Sequence, residues 1–242
     1  MEVDPPLESV SFQIKEKDLF KAAETGESSI FESFSEEHIA KSLKLRNEDG
    51  RSLLHVAVSS AHSEVVKVLS AAADESVVNS TDEEGWGSIH SAASIGNLEI
   101  MEILLSKGAN VNVKNDGGRT ALHYAASKGR LKIAELLISH GAKINSKDKA
   151  RCTPLHRAAS TGNSALCELL IEEGAEVDAT DRTGQTPLMN AVICHHKEVA
   201  LLLIRHGADV DIEDKEGYTV LGRASIDFRP ILIDAAKAML EG

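Results

Sequence analysis

Aromatic side chains make up only 3% of the chain: one tryptophan, two tyrosines and five phenylalanines. A core must therefore be assembled from Ala, Leu, Ile and Val, and so few rings argue against a stacking platform for single-stranded nucleic acid. A basic surplus is missing too. Lys and Arg number 26 against 38 Asp and Glu, a formal charge of −12, which argues against sequence-independent binding to DNA phosphates. The three cysteines, Cys152, Cys167 and Cys194, are an odd set without paired spacing. That speaks against a secreted disulfide framework and for a reducing compartment. No apolar run approaches the roughly 18–20 residues of a membrane helix. The opening MEVDPPLESV has neither the basic nor the apolar region of a signal peptide. A cytoplasmic and nuclear protein is expected, and in that setting the glycosylation triplet Asn79-Ser80-Thr81 carries no meaning.

What is present is an ordinary globular composition, 42% hydrophobic and 26% charged over 242 residues, together with a strong internal period. A Gly or its substitute precedes a His or its substitute by five residues at Gly50/His55, Gly85/His90, Gly118/His123, Arg151/His156, Gly184/Met189 and Gly217/Gly222. After a first step of 35 the starts are 33 apart. Gly108, Gly141, Gly174 and Gly207 keep the same step, as do Gly96, Gly129, Gly162 and His195.

One unit, from Asp148 to Asp181, shows what the period encodes. Thr153 is a good N-cap, and Pro154 suits the first helical turn, where its missing N–H costs nothing. Ala158 and Ala159 lie on one face and allow a close neighbour. Gly162 can take the left-handed conformation that ends a helix. Ala165, Leu166, Leu169 and Leu170 form an apolar stripe of helical period, which Gly174-Ala175 terminates. An extended run from Glu176 to Asp181 leads to the next turn. Each unit thus reads as helix, turn, helix and hairpin-like loop. None can bury its apolar face alone, so the units must stack.

The blocks Ser88 to Ala93, Thr120 to Ala126, Thr153 to Ala159 and Thr186-Pro187-Leu188, with Leu-Leu-x-x-Gly-Ala on a 33-residue period, resemble the ankyrin repeat. The resemblance implies an all-α ankyrin-repeat solenoid of seven helix-turn-helix units with hairpin-like loops. A short acidic extension covers residues 1–15 and a single domain 16–242. The units fall at 16–46 (a cap), 47–81, 82–114, 115–147, 148–180, 181–213 and 214–242 (a cap). The second unit carries two extra residues around Ala71 to Glu75, expected to bulge outward without breaking the stack.

Catalytic chemistry is not evident. No phosphate-binding Gly-Lys-Ser/Thr loop, Gly-x-Ser-x-Gly elbow or His-Glu-x-x-His helix occurs. His55, His90, His123 and His156 occupy one repeat position, so stacking spaces them about 10 Å apart, too far to share an ion. Each is expected to bond the neighbouring loop backbone. Cys194-His195-His196 lacks a second ligand pair at zinc spacing. The chain is therefore read as a non-enzyme without metal or cofactor.

Charge is uneven along the array: −6 over residues 1–50, −5 over 51–100, +5 over 101–150 and −6 over the rest. Such polarity can orient a partner. Trp86, the only tryptophan, sits on a hairpin tip beside Arg51 and Glu83 and is expected to be an exposed interface anchor. The residues between the repeat motifs, notably Glu84-Gly85-Trp86, Tyr124 to Lys128, His156-Arg157 and Ile212 to Glu216, are similar to gankyrin-like proteins, assembly chaperones of the proteasome regulatory particle. That resemblance implies a monomer binding the C-terminal domain of a proteasomal ATPase subunit through its concave face. It carries contact positions onto Asp49, Arg51, Glu83, Trp86 and Lys128, with Glu84, Arg119, Tyr124 and Arg157 beside them. It implies no nucleic acid and no membrane. The Leu-x-Cys-x-Glu segment of some such proteins, associated with retinoblastoma-protein binding, is absent from Asn190 to Cys194. The competing expectation is an ankyrin adaptor for a kinase, a cell-cycle regulator or a ubiquitin ligase.

Overall fold

The computed structural model describes residues 15–241, so residues 1–14 of the expected extension lie outside the described residues. The regular elements of the described residues are helices joined by turns and loops, with a single antiparallel bridge between Thr81 and Gly87. The first unit contributes α1 (Glu16–Thr25), α2 (Ser28–Glu32) and α3 (Glu36–Ser42). The second has α4 (Leu53–Ser59), α5 (Ser63–Ala71) and α6 (Glu75–Val78). Regular pairs follow: α7 (Ser88–Ile95) with α8 (Leu98–Ser106), α9 (Ala121–Lys128) with α10 (Leu131–Ser139), α11 (Pro154–Ser160) with α12 (Ser164–Glu172), and α13 (Pro187–Ile193) with α14 (Lys197–Arg205). The chain closes with α15 (Val220–Arg223) and α16 (Arg229–Glu241).

The first helices of successive units pack in a row, α4 on α7, α9, α11, α13 and α15, and the second helices form a parallel row from α5 to α14 and α16. Alanine makes this possible. Ala92-Ala93, Ala125-Ala126 and Ala158-Ala159 are fully buried between first helices, where a larger side chain would hold the rows apart. Between the rows lie Leu104, Leu137, Leu170 and Leu203, also fully buried. Each contributes about 1.5–3 kcal/mol of hydrophobic stabilisation.

Five of the first helices start in the same way, whereas α7 begins after Gly87 and α1 after Lys15. Ser52, Thr120, Thr153, Thr186 and Thr219 stand at the N-cap, and Pro154 and Pro187 open their helices. The repeated histidines complete the cap. His123 Nδ1 accepts the Thr120 N–H (3.1 Å) while its Nε2 donates to the Cys152 carbonyl of the next loop (3.1 Å). His90 reaches Val113 O and His156 reaches Gln185 O, both at 3.1 Å. The expected histidine ladder forms at these three rungs. One ring nitrogen accepts and the other donates, so each ring is held as a neutral tautomer.

The insertion holds a turn of helix that the sequence reading did not foresee. Ala71, Asp74 and Glu75 are exposed, while Ala72 and Ala73 pack against the core. Asp74 caps α6 by accepting the Val77 N–H (2.9 Å), and Val78 turns inward with 2% exposure. A capping carboxylate and an apolar residue at the right spacing make a helical turn cheaper than a solvated loop. At this unit's rung, buried His55 holds the Ser52 N–H (3.2 Å), but its Nε2 has no hydrogen-bond partner among the described residues.

Candidate partner-binding face

The hairpin tips are built from one Asx residue each. Asn47 Oδ1 accepts the N–H of Asp49 (3.1 Å) and Arg51 (2.9 Å), and Asp82 Oδ1 those of Glu84 (3.0 Å) and Trp86 (2.8 Å). Asp148, Asp181 and Asp214 repeat the pair of bonds. Glycines with positive φ, such as Gly85 at 70°, close the turns. Adjacent tips are then tied together. Asp116 N–H donates to Glu84 O (3.0 Å), Lys149 to Gly117 O (2.9 Å), Arg182 to Ala150 O (2.8 Å) and Lys215 to Thr183 O (3.0 Å). The tips therefore form a continuous hydrogen-bonded row that presents its side chains in fixed register.

Five of the nine sequence-predicted residues come together on this row. Asp49, Arg51, Glu83, Glu84 and Trp86, with Asp82, line a depression of about 460 Å³. Asp49, Glu83 and Glu84 are exposed and Arg51 is half-buried, so the depression is acidic with one guanidinium at its side. Three more of the nine, Arg119, Tyr124 and Arg157, line a small cleft of about 40 Å³ with His123 and Ser127. The Trp86 and Tyr124 rings meet at 4.5 Å between centroids and join the two sites. Lys128 lies in neither hollow but is exposed in the last turn of α9, the helix that carries Tyr124.

Trp86 is not the exposed anchor expected. It is half-buried, its Nε1 donates to Ser91 Oγ (2.7 Å), and its ring also packs on His90 at 5.6 Å. Neighbouring first helices stack close enough for Tyr124 to cover one side of the indole. The ring is consequently held in one orientation before any partner arrives, which lowers the entropy lost on binding. Arg157 also has a prior commitment. With Arg119 Nε at 3.5 Å, it is paired to the Asp148 carboxylate, whose side chain is 1% exposed. Burial pushes the Asp148 carboxyl up, but the Arg157 hydrogen bond and charge and the Cys152 N–H outweigh it and hold it below the usual carboxylate range.

A larger depression of about 750 Å³ adjoins the acidic one and shares Asp49 and Arg51. Lys17, Phe20, Lys21 and Arg46 also line it, and sequence reasoning missed them. Helical spacing of Lys17, Phe20, Lys21 and Glu24 on α1 was the available signal. Cys194 and His195 are exposed, while His196 Nε2 donates to Ser160 O (3.1 Å). No group of three His, Cys, Asp or Glu that could hold a metal ion occurs among the described residues. None of their helices is long and apolar enough to cross a membrane.

Known proteins agree with this architecture. A family model described as ankyrin repeats (3 copies) matches residues 71–148 and 146–214, and a single ankyrin-repeat model matches 49–83. The chain is similar to alpha-latrotoxin-Lt1a of Latrodectus tredecimguttatus, with 30% identity over 101 residues. Alpha-latrotoxin-Lh1a of Latrodectus hasselti is 29% identical over 101 residues. Both alignments cover 41% of this chain but only 7% and 8% of those proteins. The likeness thus concerns the repeat and not the activity of the longer chains. Period, caps, paired rows of helices and family match agree: the chain belongs to the ankyrin-repeat family, whose fold serves protein–protein interaction.

Proposed function

We propose that the protein is a non-enzymatic, stoichiometric binding scaffold acting as an assembly chaperone of the proteasome regulatory particle. It holds the C-terminal domain of one proteasomal ATPase subunit on the face described above. The observation carrying this reading is the continuity of that face. An acidic depression, a pre-stacked Trp86–Tyr124 pair and the cationic group of Arg119, Lys128 and Arg157 follow one another across adjacent units. A folded partner domain with a basic patch, an apolar centre and an acidic patch in that order would satisfy all three. The sequence resemblance at these positions to gankyrin-like chaperones names the ATPase domain as that partner. The scaffold works as a monomer in the cytoplasm and nucleus.

Trp86 sits where a hot spot is expected, central and flanked by charges, and its truncation should cost about 2 kcal/mol of binding. The decisive experiment is calorimetric titration of the full chain with each of the six proteasomal ATPase C-terminal domains at two salt concentrations. Tight, salt-sensitive binding to one domain is the expected result. Reversal of Glu83 and Glu84 to Lys together with Trp86→Ala should abolish it at unchanged helicity. Binding to none of the six would reject the chaperone reading and leave an adaptor for another class of protein.

A further inference from the structure

A second ladder runs along the extended loops. Asn79, Asn112 and Asn145 each clamp two units with both ends of the amide. Their Oδ1 atoms accept the N–H of Asn110 (2.7 Å), Lys143 (2.8 Å) and Glu176 (2.9 Å) in the next unit. Their Nδ2 atoms donate to the carbonyls of Gly108 (2.9 Å), Gly141 (3.0 Å) and Gly174 (3.0 Å). The fourth rung, one period on, is Asp178. Its Oδ1 accepts the Asp209 N–H at 3.0 Å as its predecessors do. A carboxylate has no hydrogen to give, however, and no donor reaches the Gly207 carbonyl among the described residues.

We infer that the joint between the fifth and sixth units is proton-gated. With Asp178 ionised, the rung makes one inter-unit bond instead of two and sets a negative oxygen where the other rungs carry a donor. With Asp178 protonated, its hydroxyl donates to the Gly207 carbonyl and the ladder is complete. The charge facing Asp178 from the sixth unit is Asp209, whose own Oδ1 accepts the Asp211 N–H (2.8 Å). None of the described ion pairs supplies Asp178 with a cation. Burial raises the Asp178 carboxyl above its ordinary value, the Asp209 N–H lowers it in part, and the Asp209 charge raises it further. The sign follows. A carboxyl raised in the folded state favours the protonated, closed joint, and that contribution is lost as pH rises through the raised value. At neutral pH this joint is therefore held less firmly than the three asparagine-clamped joints before it. Acidification tightens this joint while leaving the three asparagine rungs unchanged. The inference stands independently of the proposed partner.

The test is amide hydrogen exchange across residues 197–214 in the full chain, corrected for the intrinsic pH dependence of exchange, for wild type and Asp178→Asn. The variant restores the donor permanently. At neutral pH its exchange in that segment should be about fivefold slower than wild type, the effect of one added hydrogen bond. The difference should vanish as pH falls through the Asp178 carboxyl value. Pairwise comparison at each pH cancels the contribution of the buried histidines, which both proteins share. A second variant, Asn145→Asp, should transfer the same pH-dependent loosening to the joint before it. Equal exchange of wild type and Asp178→Asn at neutral pH would overturn the inference. So would a carbon-13 titration placing the Asp178 carboxyl at or below the ordinary 3.8.

Discussion

Removing Arg157 separates two roles that the structure gives to one side chain. Its guanidinium lines the cleft beside Tyr124 and also pairs with Asp148, a carboxylate 1% exposed that already accepts the N–H of Ala150 and Cys152 at 2.9 Å. In Arg157→Ala the two backbone bonds remain but the charge loses its principal counter-ion. Breaking a fully buried ion pair costs about 3–5 kcal/mol. Here Arg157 is 26% exposed and Arg119 stands at 3.5 Å, ready to take over part of the pairing. A loss of about 2 kcal/mol is therefore expected, close to that of one charged hydrogen bond. Urea unfolding of wild type, Arg157→Ala, Asp148→Asn and the double variant measures it. The double variant should be more stable than the sum of the singles, because neutralising Asp148 removes the orphaned charge. The paired Asp148 is also stabilising above its ordinary 3.8 and loses that contribution as pH falls through its lowered value. A stability loss under about 0.5 kcal/mol for Arg157→Ala, with additive behaviour in the double variant, would refute the pairing and leave Arg157 as a plain surface cation.

Arg151 and His195 occupy positions where other units have glycine, with φ of 64° and 61°. Arg151→Gly and His195→Gly should each stabilise the chain by about 0.5–1 kcal/mol in thermal unfolding; destabilisation by either would show that the native side chain makes a compensating contact. Burial lowers His55 and His123 from 6.5 to about 4, and His90 and His156 shift in the same direction. Their contribution to stability is complete above 6.5 and falls as pH drops from there toward 4, so the urea midpoint should decline across that window; a flat midpoint would contradict neutral buried rings. Burial pushes the Cys167 thiol up to about 12 and raises Cys152, whereas Cys194 is exposed. Native protein should give one fast equivalent of thiol with an aromatic disulfide reagent, and three after denaturation.

Much of the fold was legible because each unit repeats the same local instructions. The Thr-Pro openings, the helix-ending glycines and the paired alanines act within a few residues of themselves, and the structure uses them as their chemistry suggests. The histidine bonds were legible for a related reason: a buried ring needs partners, and stacking offers a carbonyl once per unit. The turn of helix at the insertion, Ala71 to Glu75, was not, because a connection two residues longer has no precedent among its neighbours. The turn depends on Asp74 as cap and Val78 as buried anchor, whose value appears only against the next unit. For the binding face, sequence located the residues but not their existing contacts. Arg157 reads as a free cation until Asp148, nine positions earlier, is seen to be buried. Trp86 reads as exposed until Tyr124 arrives from the following unit. The Asn and Asp rungs at 79, 112, 145 and 178 keep the 33-residue step, yet the consequence of exchanging an amide for a carboxylate emerges only where a glycine carbonyl lies opposite.

The side-chain bonds between units have a short reach. The longest described one, from His62 Nε2 to Glu24 O at 2.8 Å, spans 38 residues, and among the described residues no strand or bridge binds the first unit to the last. Pulled by its two ends, such a molecule has no clasp that must break before everything else. It should lengthen in steps, each releasing one unit of about 33 residues and roughly 110 Å of contour, beginning at the weakest joint. The scaffold is thus a compliant spring under load, able to let go of terminal units and take them back without dismantling its centre.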